Sequence, residues 1–577
     1  MTTLKGTKGA DTTTLLAGAT ININTITALA GNDIVVMGGF TGKVQAAYGG
    51  SGNDTLTGFN AAERLYGDVG NDSIIGSGGQ DSLYGGVGND TISVAVGTGH
   101  SVLVGYSGND SLTGGNATTS SAADVAAVAA GKFLTQFLYG GDGNDTIAGG
   151  VGLATDNHAL WGGTGNDSIT AASGAGRSHI YGEAGTDALV GSTAGKDTMT
   201  GGAGADTITG GAGNANNETV SYLLSASAVT VNLALATAQT GGTGDSLGDV
   251  ITVVNDSIGS KYADFLTGNL NANDILGGLG NDSIDSGGTS TSGAAGSANT
   301  GNDGLFGGYG NDTIFMHNGT NTTDTISGGA NTDTVDFSNV FGAVTADLSL
   351  GTFSGAAGVG TIVTVEKLIG TISGDTLTAV GGSTVSGGLG ADTIFSATSG
   401  GGKDILIGGA GADRYDGTST TITDYFEVNR AGGVDQIFGY NAGGLSTDKL
   451  YVSIADLAPT GLASVLALGT AGAANTTSDV GTGVANLIMG TYNSLGKLAS
   501  YSLHATDVIS GAALTAASAT TAAHAQFMFN TTTGALFYDT DGLGGLAGAQ
   551  IATIDPATAG AAHGLSVLDS TDFIVVA

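Results

Sequence analysis

Aspartate is the residue of this chain that recurs often and regularly enough to do chemistry. The tripeptide Gly-Asn-Asp occurs ten times, starting at Gly31, Gly52, Gly70, Gly88, Gly108, Gly143, Gly165, Gly280, Gly301 and Gly310. Variants with another middle residue end at Asp81, Asp187, Asp197, Asp206, Asp392, Asp404 and Asp413. Between Gly49 and Ser93 the spacing is fixed: GGSGNDTLT, GFNAAERLY, GDVGNDSII, GSGGQDSLY and GGVGNDTIS follow one another as nonapeptides. Position six reads Asp54, Glu63, Asp72, Asp81 and Asp90, while position eight reads Leu56, Leu65, Ile74, Leu83 and Ile92. A carboxylate on a nine-residue beat is a cation-binding pattern, provided that the fold stacks the repeats.

The elements that would do the stacking follow from the same period. Glycines at positions one, two and four permit the backbone angles of a tight loop. Positions seven to nine are too few for a helix but suffice for a short strand, with position eight facing inward. Two nonapeptides then make a coil with a loop at each edge, and successive coils lie about 4.8 Å apart, as paired strands do. Asp72 and Asp90 fall on one edge, Glu63 and Asp81 on the other. Carboxylates stacked so closely repel unless a cation sits between them. Calcium suits such a place, being a hard ion that takes six to eight oxygen ligands where loops offer free carbonyls.

These units match GGxGxDxUx, and the stretch resembles the RTX (repeats-in-toxin) family with its parallel β-roll. The resemblance implies calcium held between loops by position-six aspartates and backbone carbonyls. It carries that role to Asp54, Asp72, Asp81, Asp90, Asp110, Asp145, Asp167, Asp187, Asp206, Asp282, Asp303, Asp312, Asp333, Asp392, Asp404 and Asp413. Asp197 has an extra residue in its loop, Asp324 lacks most of the glycines, and Glu63 departs from the pattern. On the order of fifteen calcium ions are implied if most adjacent loops hold one. The fold class expected is all-β, a parallel β-roll or β-helix solenoid of nonapeptide coils with longer spacer coils and a C-terminal β cap.

The repeats come in blocks. Residues 1–214 are read as the first RTX β-roll block, 215–272 as spacer coils, 273–338 as the second block, 339–385 as duplicated spacer coils, 386–416 as the third block, and 417–577 as a C-terminal cap and secretion-signal region. Duplication marks the spacers: Glu218-Thr219-Val220-Ser221-Tyr222 and Asp264-Phe265-Leu266-Thr267-Gly268 recur as Thr334-Val335-Asp336-Phe337-Ser338 and Asp375-Thr376-Leu377. Their alternating apolar residues indicate longer, half-buried strands that continue the solenoid. The Ala-rich insertion Asn116–Lys132 reads as a short helix or a loop. Beyond Asp416, Val434-Asp435-Gln436-Ile437-Phe438 and the tail from Phe527 resemble the end of RTX exoproteins, which caps the solenoid and carries the signal read by type I secretion.

Composition removes most other functions. Fifty acidic residues against 14 basic ones give a net charge of −36, which excludes a nucleic-acid partner and disfavours docking to anionic lipid. Glycine at 107 with proline at 2 excludes collagen, and 40% hydrophobic residues separate the chain from disordered low-complexity sequences. Absence of cysteine removes disulfides, thiolate nucleophiles and zinc–thiolate sites. No H-E-x-x-H and no G-x-S-x-G occurs, and the seven histidines are scattered without ligand spacing, so no enzyme is expected. Trp161, the only tryptophan, reads as core or rim packing. The start, Met1 to Lys8, lacks the apolar core of a signal peptide, and no apolar run of about 18 residues spans a bilayer.

What emerges is a secreted calcium-binding structural protein that folds on calcium outside the cell. It resembles bacterial surface-layer and other extracellular structural RTX proteins, and is expected to self-associate through its first coils into a surface layer or filament. The alternative is an RTX adhesin or matrix protein that binds surface polysaccharide; a third reading is the accessory module of an exoenzyme.

Overall fold

Position eight sets the fold. In the computed structural model of the chain, Leu83, Leu103, Leu138, Leu160, Ile180, Met199 and Val220 lie over one another in parallel register. All seven are fully buried. A second buried column runs through Leu56, Ile74, Ile92, Leu112, Ile147, Ile169, Leu189, Ile208 and Ile251. It belongs to an 11-stranded sheet that starts with Thr12–Thr14 and ends with Val250–Thr252. The chain alternates between the two sheets, as in Ser82–Val87 followed by Thr91–Val94 and then Val102–Ser107. Each buried leucine or isoleucine contributes about 1.5–3 kcal/mol, so an apolar strip one residue wide per strand suffices when it repeats along the axis.

The structure describes residues 2–14, 23–37, 45–59, 62–77, 80–94, 101–115, 134–151, 156–173, 177–193, 195–211, 218–288, 299–320, 322–397, 402–417, 424–428, 433–438 and 448–453, and the strands at 489–492, 498–502, 508–511, 526–530, 535–539, 549–554 and 573–576. Among them there is no helix; the insertion Asn116–Lys132 lies outside the described residues. The chain forms two compact units, Met1–Asp285 and Ser286–Ala577.

The loops explain the glycines. Gly143, at position four, has φ +133°, and a β-carbon there would overlap the carbonyl of Gly108 in the neighbouring coil. Coils this close tolerate no side chain at that place.

The spacers change which sheets the coil uses. In the first unit, Thr219–Ser221 pairs with both Thr198–Ala203 and Asp256–Ile258, so one sheet continues. The other ends at Val250–Thr252, while Thr230–Asn232 starts a new stack with Phe265–Thr267 and Ser283–Asp285. The second unit repeats the manoeuvre. Gly358–Val363 pairs onto Thr323–Ala330. Val344–Asp347 then founds a stack carried on by Thr376–Thr378, Thr393–Phe395, Arg414–Asp416 and Asp435–Phe438. An antiparallel excursion, Thr352–Gly355, joins the two. Duplicated spacer sequence thus encodes duplicated topology.

Near the C-terminus the stacks stop being parallel. Ala549–Ile554 adds in parallel to Asp435–Phe438, and Phe573–Val576 to Lys449–Ser453. Their further partners, Ala535–Asp539 and Leu498–Ser502, are antiparallel. Antiparallel pairing departs from the register a next coil would need, which is one way to close an open sheet edge.

Candidate metal centre

In the first unit the loops that leave the long strands align on one edge, and their aspartates form a column. The amide N–H of each donates to Oδ1 of the next at 2.6–2.9 Å, from Asp11 through Asp33, Asp54, Asp72, Asp90, Asp110, Asp145, Asp167, Asp187 and Asp206 to Asp249. An outer ladder of asparagines runs beside it. There the amide of each residue donates to Oδ1 of the preceding one at 2.7–3.0 Å, from Asn53 on Asn32 to Asn166 on Asn144.

One carboxylate oxygen is satisfied by this ladder and the other is not. Oδ2 of Asp33, Asp54, Asp72, Asp90, Asp110, Asp145, Asp167, Asp187 and Asp206 is buried without a hydrogen-bond partner. A buried unpaired charge is among the costliest arrangements in a protein. Burial pushes the carboxyls of Asp90, Asp167 and Asp206 up to about 7 and those of Asp54, Asp110 and Asp145 up to about 6. The amide hydrogen bond opposes the rise, and neighbouring carboxylates add to it at Asp54, Asp90, Asp145, Asp167 and Asp206.

Glycine at position one leaves the room beside Oδ2. A β-carbon on Gly85 would overlap Asp90 Oδ2 and lie 2.8 Å from the carbonyl oxygen of Gly105 in the next coil. One on Gly162 would overlap Asp167 Oδ2 and lie 2.8 Å from the Gly182 carbonyl. Carboxylate and carbonyl oxygens therefore face the same small space, a donor set that fits calcium. Among the described residues no group of three acidic or imidazole side chains is placed to hold a metal. An ion here would take single carboxylate oxygens and complete its shell from carbonyls and water.

The opposite edge of the first unit is different. Its buried column reads Glu63, Asp81, Ser101, Gln136, His158, Ser178, Asp197 and Glu218. Glu63 donates its amide to Asp81 Oδ1 at 3.1 Å, but Asp81 donates to the Ser101 hydroxyl at 3.4 Å. From Ser101 to Ser178 side chains without a carboxylate take these places. Asp81 does share the upward shift, to about 6, caused by burial. Asp197 is filled by the amides of Ser178, at 2.6 Å, and Ser192, at 2.5 Å.

Further along, Asp264 donates to Asp282 Oδ1 at 2.8 Å. In the second unit Asp312 donates to Asp333 at 2.8 Å, and Asp333 to Glu366 at 2.9 Å. Another column links Asp375, Asp392, Asp413 and Asp435 at 2.8, 2.9 and 3.1 Å. Oδ2 of Asp333, Asp392 and Asp413 lacks a partner, as in the first unit. A β-carbon on Gly387 would overlap Asp392 Oδ2 and lie 2.6 Å from the Gly408 carbonyl.

Two of the aspartates singled out by sequence are otherwise engaged. Asp303 Oδ2 accepts from the Asn299 side chain at 2.6 Å. Asp404 accepts the amides of Gly382 and Ala397, each at 2.8 Å. Both brace their loops. Conversely, the columns contain members outside that set: Asp11, Asp33, Asp249, Asp264, Asp375, Asp424, Asp435 and Asp448. The signal that finds several of them is an aspartate two residues before a buried apolar side chain, as in Asp249-Val250-Ile251 and Asp424-Tyr425-Phe426.

The ladder makes each site local. Asp72→Ala removes the acceptor of the Asp54 amide, 2.7 Å away, and leaves a buried donor at a cost of about 1–3 kcal/mol. Hydrogen exchange is expected to show lost protection and weaker calcium binding between Gly49 and Ser93, with the coils of Asp392 and Asp413 unchanged. Uniform loss across the chain would contradict the local ladder.

The family model described as RTX calcium-binding nonapeptide repeat (4 copies) matches residues 47–73, 57–92, 94–117, 137–152, 161–193, 192–214, 255–288 and 297–323. No curated protein matches the chain. The matched segments carry the column from Asp54 to Asp206; Asp392 and Asp413 lie outside them and repeat the same geometry.

Proposed function

We propose that this RTX calcium-binding nonapeptide repeat protein is a non-enzymatic extracellular scaffold, exported unfolded and folded by calcium outside the cell. The observation that carries the reading is the column from Asp11 to Asp249, with nine buried carboxylate oxygens lacking a partner. Such a column is self-repelling where calcium is scarce and satisfied where calcium is plentiful, so folding becomes coupled to the compartment. The type I route suits a chain that must stay unfolded until it has left. Deletion from Phe527 onward is expected to hold the protein in the cytosol, and undiminished export would refute that route.

The scaffold assembles with copies of itself into a surface layer or filament. In support, the described residues are nearly all repeat or spacer coil, and apolar side chains recur on their outside. Val69 and Val87, in register on adjacent strands, are 52% and 58% exposed. Ser51 and Ser107 flank this pair, which offers a small apolar contact point to a second copy. Sedimentation of the full chain should show large assemblies in calcium and none in chelator, with ordered sheets or filaments by electron microscopy. A monomer at high calcium and high protein concentration would end the assembly reading.

A further inference from the structure

Outside the carboxylate columns, the first unit carries a second built feature. Tyr139, Trp161 and Tyr181 occupy successive rungs on the outer face of the long-strand sheet. Trp161 packs against Phe137 with ring centroids 4.3 Å apart and against Tyr181 at 5.3 Å, the latter pair only 10° from parallel. Sequence reading expected Trp161 in core or rim packing; it sits on the outer face, partly exposed. The stack then stops. The rung after Tyr181 is Thr200, and a cleft of about 460 Å³ opens there.

The first spacer supplies the far wall. Tyr222 is buried, and its hydroxyl donates to Asp249 Oδ2 at 2.7 Å, which fixes the wall to the end of the aspartate column. Asp245 and Glu183 bring carboxylates to the cleft. Glu183 does so from φ +75°, at a rung where the coils on either side have Gly163 and Gly202. The same conformation recurs at that rung in other coils, at Asp68 with φ +74° and Tyr106 with φ +79°, so the coil imposes it and Glu183 only happens to carry a carboxylate there.

We propose that this cleft binds a neutral oligosaccharide, one sugar ring stacking on Tyr181 while Glu183, Asp245 and the Thr200 hydroxyl take its hydroxyl groups. An apolar ring face beside a few polar groups is how sites of this size orient small ligands. The cleft has two carboxylates and no basic residue in its lining, which excludes phosphates and other anions. Near-parallel rings offer a flat platform rather than the box that encloses a quaternary ammonium ion. The inference does not depend on self-assembly.

Trp161 is the only tryptophan, so its fluorescence reads the cleft directly. The calcium-loaded full chain is titrated with maltohexaose, cellohexaose and mannan oligosaccharides, and with tetramethylammonium as a cation probe. A saturable change with at least one saccharide is expected. Tyr181→Ala should weaken it on the order of tenfold, the equivalent of about 1.4 kcal/mol. Thr200→Tyr, which extends the stack over the open ring, should abolish it while removing nothing from the core. Circular dichroism in calcium checks that both variants fold. No response to any of these saccharides, a response only to tetramethylammonium, or undiminished saccharide binding by both folded variants would overturn the proposal.

Discussion

Transfer of the calcium-loaded protein into excess chelator is expected to abolish most of its β-structure, and readdition of calcium to restore it cooperatively. The reason is the count of buried carboxylates against the thin apolar core. Each coil buries little more than one apolar side chain per strand, whereas the column from Asp11 to Asp249 stacks a carboxylate in every coil. An ion bound at a concentration a hundredfold above its Kd stabilises the fold by about 2.7 kcal/mol. A few such ions therefore outweigh the net stability of about 5–15 kcal/mol typical of a folded domain. Circular dichroism during a calcium titration gives the measurement. A spectrum indifferent to chelator would remove the basis of the functional reading.

Acid is expected to favour folding of the calcium-free chain and to weaken calcium binding by the folded one. The carboxyls of Asp90, Asp167, Asp206 and Asp392 are pushed up to about 7 by burial, from an unfolded value of 3.8. A group held higher in the folded state binds its proton more tightly there. Without calcium, the folded form is penalised above pH about 7, and the penalty is relieved as pH falls toward about 4. The chelated protein should thus gain β-structure on acidification from pH 8 to pH 5. With calcium, protons compete for the same oxygens of the folded chain, so its affinity for calcium should fall over the same range. A chelated chain that stays unfolded down to pH 5, or a calcium affinity of the folded chain independent of pH, would show that these carboxylates are not the coupled groups.

The nine-residue period made the repeat fold legible because one residue in nine must face inward and another must face the neighbouring loop. Leu83 and Asp90 needed no more than their spacing to be placed. What the period hid was context. Ser101, Gln136, His158 and Ser178 take the place of carboxylates on the second edge, so in these coils the charge is one-sided. Insertions shift these residues out of any nine-residue count. Asp303 and Asp404 carry the right motif, but Asn299 and the Ala397 amide reach their oxygens first, through loop conformations that no spacing records. Asp249 has Leu247 where the motif has its position-four glycine, and joins the column only because the spacer brings Val250–Thr252 onto Thr207–Thr209. The exchange of one sheet for another at the spacers was equally invisible, since it depends on which earlier strand each new strand finds.

The aspartate ladder also has a sense of direction. Every buried amide in it leans on the carboxylate of the coil C-terminal to it. The asparagine ladder leans the other way, but it is exposed, and water can stand in for a missing neighbour. Stripping coils from the N-terminal side therefore leaves a carboxylate facing solvent, which costs little. Stripping them from the C-terminal side leaves an amide N–H facing solvent instead. The two ends of a partly wound stack are consequently unlike: a chain that winds from its later coils toward its earlier ones grows on a face of carboxylate acceptors, and one that winds in the opposite order grows on a face of amide donors.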